Sequence, residues 1–152
     1  MDRFYDGETH NPLSNFYMWN FRVSRDPLIW LSVEHYYQAA KTLVPSERSL
    51  IHHAETPGQA KRLGRKATLR GNWEQIKLLV MREGLAAKFA IEDHDIESSP
   101  TRFLLDTGDD ILVEGNNWGD RFWGVDGTGD NWLGHLLMAR RAELRYELER
   151  LK

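Results

Sequence analysis

The spacing of apolar positions changes along the chain. HNPLSNFYMWNFRV opens on the turn-like Asn11-Pro12 and runs into Phe16, Tyr17, Trp19 and Phe21. Alternating large side chains predict short strands here, and Leu28–Trp30 reads as another. Helical spacing then takes over. Ser32 is an N-cap for a helix to about Thr42, ending before Pro45. Ser46 caps a short helix over Ser49–Ala54. Thr56-Pro57 is a cap with proline at the first helical position, so QAKRLGRKA is helical. Asn72 caps a long helix, WEQIKLLVMREGLAAKFA, with Trp73, Ile76, Val80 and Ala87 as its apolar stripe. EDHD, at 92–95, reads as a solvated loop. Ser99-Pro100 repeats the cap-then-proline signal for TRFLLDTG, with Gly108 as the stop. ILVEG, 111–115, reads as a strand and RFWGV, 121–125, as another. Asn131 caps a final helix from Trp132 to near the end. Leu133, Leu137, Leu144, Leu148 and Leu151 share one face of it and pack into the core rather than serving dimerisation, and Arg145 and Glu149 form an exposed pair. The sum is a predominantly helical α+β single domain over residues 1–152, with a few short strands. Strands do not alternate with helices, so a doubly wound parallel sheet is not expected.

Composition narrows the function classes. The 152 residues include six Trp, six Phe and five Tyr, enough large anchors for a real core. Net charge is −3, from 20 basic and 23 acidic residues, so no overall field favours nucleic acid. Cysteine is absent, which excludes thiol catalysis, disulfides and cysteine-based zinc sites. MDRFYDGETH has no apolar run, so no signal peptide is expected there, and no stretch is long and apolar enough to span a bilayer. A cytoplasmic location, without membrane attachment, is the expectation. No HExxH spacing occurs and His52-His53 point apart on a helix, so no metal is expected.

Three segments carry candidate chemistry. In SVEHYYQAAK, Glu34, Gln38 and Lys41 fall within one helical stripe, while Val33, Tyr36, Tyr37 and Ala40 cover most of the remainder. The stripe is either a solvated face with an ordinary ion pair or the wall of a pocket; spacing leaves both open. Between Gln59 and Arg70 stand Lys61, Arg62, Arg65, Lys66 and Arg70 with no acid. Lys61 and Arg65 share a face, as do Arg62 and Lys66. This patch suits phosphate oxygens, or is a basic surface that aids solubility. VEGNNWGDRFWGVDGTGDNWLG holds Glu114, Asp120, Trp123 and Gly124, and its Gly127 and Gly129 precede the last helix, an arrangement able to cradle an anion at a helix N-terminus. It is neither a P-loop nor a dinucleotide fingerprint, and the calcium-loop pattern fails at Asn131 and Leu137.

PLSNFY (12–17), SVEHYYQAAK (32–41), PGQAKRLGR (57–65), MREGLAAKF (81–89), LLDTGDDILVE (104–114) and DRFWGVDGTGDNWLGHLLMARR (120–141) together resemble the NADAR (YbiA-like) family, in its order and over nearly the whole chain. Asn116-Asn117-Trp118-Gly119 departs from it as a slightly enlarged linker. The resemblance implies a YbiA-like fold and an N-glycosidase acting on ribosyl N-glycosidic bonds. It implies as substrates ADP-ribosylated guanine nucleobases or phosphoribosylamino-pyrimidine intermediates of riboflavin biosynthesis, with no cofactor. The partner is then a small ADP-ribosyl or phosphoribosyl molecule, or ADP-ribosylated nucleic acid; a non-catalytic ADP-ribose- or NAD-binding module is the rival. Oligomeric state is left open.

Breaking such a bond builds positive charge at ribose C1, which a carboxylate stabilises and a carboxylic acid assists by protonating the base. Glu34 and Glu114 are the candidates. The resemblance favours a catalytic lysine at Lys41, which makes Lys41 the nucleophile and Glu34 the acid/base. Asp120 would orient a ribose hydroxyl or support the lysine, and Phe16 and Trp123 would stack on the base. Lys61, Arg65 and the N-terminus of the last helix, at Asn131, would hold phosphates, with Asn15 and Gly124 lining the substrate site.

Overall fold

The computed structural model describes residues 2–5, 8–91 and 96–152, so the EDHD loop lies outside the described residues. Among those residues are six α-helices and two short strands, a mostly helical α+β protein. The chain forms two compact units, Asn15–Lys88 on the one hand and Met1–Ser14 with Phe89–Lys152 on the other.

In the first unit, helix α1 (Val33–Ala40) packs against α2 (Pro45–His52), α3 (Pro57–Lys66) and α4 (Trp73–Lys88). Ser32 starts α1: its hydroxyl oxygen accepts the His35 N–H at 3.2 Å, and Glu34 stands in the positively polarised first turn. Every residue of α1 is buried. The solvated-face reading of this helix is therefore wrong. Helix α2 begins earlier than expected, because Pro45 occupies its first turn and Ser46 is inside it. Thr56 caps α3 as expected, its side chain accepting the Gln59 N–H at 3.1 Å.

The strands expected before Trp30 shrink to a single antiparallel bridge, Phe21 with Trp30. The alternation itself is real: Phe21 and Val23 are buried while Met18, Asn20 and Arg22 are exposed. What is lacking is a long partner. Trp30 is fully buried, its ring 5.5 Å from that of Tyr36, and its indole N–H donates to Asp26 at 3.1 Å.

On α4 the buried stripe is Trp73, Val80, Met81, Gly84, Leu85 and Lys88, whereas Ile76 and Ala87 are only half-buried. Lys88 is 2% exposed, and its amine lies 5.6 Å from the centre of the Tyr17 ring. Burial pushes this amine down to about 7. Such a group penalises the folded state fully below about 7, and the penalty is lifted as pH climbs toward the ordinary lysine value of 10.5. Urea titrations should therefore show stability rising with pH across that window, and Lys88→Met should flatten the rise. An unchanged slope in the variant would show that Lys88 stays charged.

In the second unit, β1 (Asp2–Tyr5), not anticipated from the sequence, pairs in parallel with β2 (Leu112–Gly115), with Phe4 opposite Glu114. Helix α5 (Pro100–Asp106) and β2 both pack on α6 (Trp132–Arg150). RFWGV is not a strand; only Val125 makes a bridge, to Gly115. Leu133, Leu137 and Leu144 are buried on α6 as expected, but Leu151 is 72% exposed. Arg145 does not pair with Glu149: it binds Asp109 at 3.0 Å and the Gly108 carbonyl, while Glu149 binds Lys152. Buried Arg141 donates to Thr107 Oγ1 at 2.7 Å and the Asp110 carbonyl at 2.9 Å, tying the turn after α5 to α6.

Candidate active site

Within residues 15–88 the structure gathers Asn15, Phe16, Glu34, Gln38, Lys41, Lys61 and Arg65 around α1. The Asn15 carbonyl accepts the Glu34 N–H at 3.1 Å, which lays the loop after Ser14 across the helix start. Phe16 follows, and the Lys61 amine lies 5.6 Å from its ring centre. Glu34 is 5% and Gln38 3% exposed. One turn separates them, so the Gln38 amide reaches back and donates to Glu34 Oε1 at 2.7 Å.

Lys41 closes α1 as its C-cap, with helical backbone angles. Its carbonyl accepts the Arg70 N–H at 2.8 Å, and Glu47 brackets the following turn by accepting from the Thr42 and Thr68 hydroxyls. The Lys41 amine lies 5.3 Å from the Tyr37 ring centre. Burial depresses its basicity most; Glu34 partly restores it, and the like charges of Lys61 and Arg65 lower it further. A lysine so placed is a better nucleophile near neutral pH than an exposed one. The charges of Lys61 and Arg65 bear on Lys41; Lys61 is half-buried, whereas Arg65, like Arg62 and Lys66, is exposed. Arg65 also borders an open groove of about 430 Å³ lined by Gln59, Arg62, Leu63 and Lys66.

Ser32 and His35 form a serine–histidine contact of 2.6 Å, yet both are fully buried. His35 Nε2 donates to the Ala54 carbonyl at 2.9 Å, and burial keeps the ring neutral. This pair caps α1 and is no nucleophile.

The second unit holds the other five expected residues. Glu114 on β2 is 3% exposed, and its N–H donates to Asn131 Oδ1 at 2.9 Å. Gly124 lies so close that a Cβ there would sit 2.6 Å from the Glu114 carbonyl and 2.9 Å from Oε2; any side chain would displace the carboxylate. Asp120 Oδ1 accepts the N–H groups of Phe122 and Trp123 at 3.1 and 3.0 Å, which shapes the turn that carries Trp123. Trp123 is half-buried, edge-on to Phe122.

Asn131 is not the expected side-chain cap. Its backbone is left-handed, and its amide is spent on β2, accepting from Glu114 N–H and donating to the Leu112 carbonyl at 2.9 Å. The anion cradle before α6 also fails in part. The Trp132 and Leu133 N–H groups already donate to the Phe122 and Trp123 carbonyls at 3.1 and 2.9 Å.

Gln38 and Lys88 are buried polar residues whose settings the sequence pattern reveals only in part. The i,i+4 spacing of Gln38 from Glu34 is the signal for their contact. Lys88 continues the buried face set by Gly84 and Leu85.

The NADAR domain family model matches residues 3–145. N-glycosidase Npun_R5314 of Nostoc punctiforme is 43% identical over 123 residues, covering 76% of this chain and 75% of that protein. N-glycosidase YbiA of Escherichia coli is 39% identical over 144 residues, covering 92% and 85%. Riboflavin biosynthesis protein VVA0006 of Vibrio vulnificus is 38% identical over 143 residues, covering 91% of this chain and 36% of its own length. The solved structure of E. coli YbiA superposes with a TM-score of 0.78, covering 99% of this chain and 88% of that one at 36% identity. With the family match running across both units and relatives alike over most of their length, the chain belongs to the NADAR domain family.

Proposed function

We infer that the chain is an N-glycosidase, a hydrolase that cleaves the bond between ribose C1 and a base nitrogen. Its substrate is an ADP-ribosylated guanine nucleobase or a phosphoribosylamino-pyrimidine. The names of its relatives support the class of reaction. The observation that carries the reading is local: a buried helix presents a carboxyl group, Glu34, and at its end stands an amine, Lys41, whose basicity burial lowers.

The neutral Lys41 amine attacks C1, and the C1–N bond to the base breaks. Glu34, entering as the acid, gives its proton to the departing nitrogen. Opening of the ribose C1–O bond then leaves a Schiff base between Lys41 and C1. The ring oxygen takes one N–H proton of Lys41 as it opens; water then adds to C1, the lysine leaves as an ammonium that returns its extra proton to the Glu34 carboxylate, and the sugar recloses with a hydroxyl at C1, so that the sum is hydrolysis. Phe16 offers a ring face to the base or sugar. Lys61 and Arg65 meet phosphate oxygens, and the groove beside Arg65 gives a long diphosphate room to continue.

Incubation of the purified chain with ADP-ribosylated guanosine and, separately, with a phosphoribosylamino-pyrimidine should release free base from one of them, detected by chromatography. Calorimetric binding of both without release would replace this reading by the binding module.

A further inference from the structure

Gln38 has no role in the steps above, yet its setting is unusual. It is 3% exposed, and its Nε2 donates to Glu34 Oε1 at 2.7 Å. Its Oε1 is buried without a hydrogen-bond partner. Turning the amide over would take the donor away from Glu34 Oε1. A buried amide with one oxygen unsatisfied is costly, and an apolar side chain of similar length would fill the same volume without that cost. What glutamine supplies that methionine does not is the donor to Glu34.

The packing against α3 points the same way. The Gln38 side chain lies on the backbone of Gly64, where a Cβ would overlap Oε1 and stand 2.8 Å from Cδ and 2.9 Å from Cβ of Gln38. No rotation of the amide end alone clears contacts at both Cδ and Cβ. Gly64 is thus a notch that fixes the amide. We propose that Gln38 is a positioning residue for the glycosidase reaction: held in the Gly64 notch, it fixes the plane of the Glu34 carboxyl and so the direction in which its proton reaches the leaving base. This rests on Glu34 being the acid of the proposed reaction.

The test uses the full chain, the substrate released in the assay above, and single-turnover rates with calorimetric affinity. Gln38→Met should slow turnover by about 10- to 100-fold, the effect of misplacing a reacting group by an ångström or less, with substrate affinity unchanged. In a Glu34→Gln background the same change should cost nothing further, because the two act as a unit. Gly64→Ala, which displaces the amide without removing it, should reproduce the loss, and keeps the test readable should Gln38→Met lower the Tm. Unchanged turnover, a loss carried by affinity, or equal fold-losses in both backgrounds would overturn the positioning role. Wild-type turnover in Glu34→Gln alone would overturn the acid assignment and this proposal with it.

Discussion

Lys41→Met lowers single-turnover hydrolysis by about 10³-fold or more, the scale expected when a covalent nucleophile is removed and the binding groups stay. Methionine keeps the length of the chain that lies along Tyr37, so the loss reports on the amine rather than on packing. Borohydride added during turnover should trap a sugar adduct on the wild-type protein, located at Lys41 by mass spectrometry. The variant should yield none. The pH dependence follows in sign. The amine must be neutral to attack, so activity controlled by Lys41 rises with pH as it loses its proton. Burial and the charges of Lys61 and Arg65 place that rise below the ordinary lysine value of 10.5. Wild-type rates in Lys41→Met, or an adduct on another residue, would end the assignment.

The second large effect is Glu34→Gln, expected to cost about 10²- to 10⁴-fold, the usual range for a general acid. The substitution is nearly isosteric, and an amide can still meet Gln38, so the fold should survive. The diagnostic is the leaving group. A base that departs readily as an anion needs little protonation, and for such a substrate the deficit should shrink. A deficit of the same size for good and poor leaving groups would mean that Glu34 stabilises charge at C1 without delivering a proton. Comparing rates across a series of leaving bases separates the two roles.

The helices were legible in the sequence where a cap and a period agreed. Ser32 before α1 and Thr56-Pro57 before α3 set those starts because the capping hydroxyl and the proline act within a single turn. Asn131 misled for the same local reason: asparagine suits a cap, but here its amide serves β2, nineteen residues upstream at Leu112. Strand β1 left no periodic trace; it exists because residues more than a hundred positions later offer it a ladder. The alternation from Tyr17 to Val23 was correctly visible, yet alternation does not say whether a partner is long enough to make a strand. For the site, the stripe of Glu34, Gln38 and Lys41 was readable as geometry. That the whole of α1 is enclosed was not, since burial depends on α2, α3 and α4 closing around it. Lys88 shows the limit again. A charged letter in an apolar stripe is read as an interruption, whereas the protein keeps it inside and lowers its basicity instead.

The enclosure of α1 has a consequence for heat. Where reacting groups ride on a surface loop, warming can loosen them while the scaffold stays intact, and activity fades ahead of melting. Here they sit on the innermost helix of residues 15–88, so they lose their geometry only when the helices around them separate. Thermal inactivation is therefore expected to coincide with cooperative melting of that unit, which a comparison of activity loss with a melting curve checks.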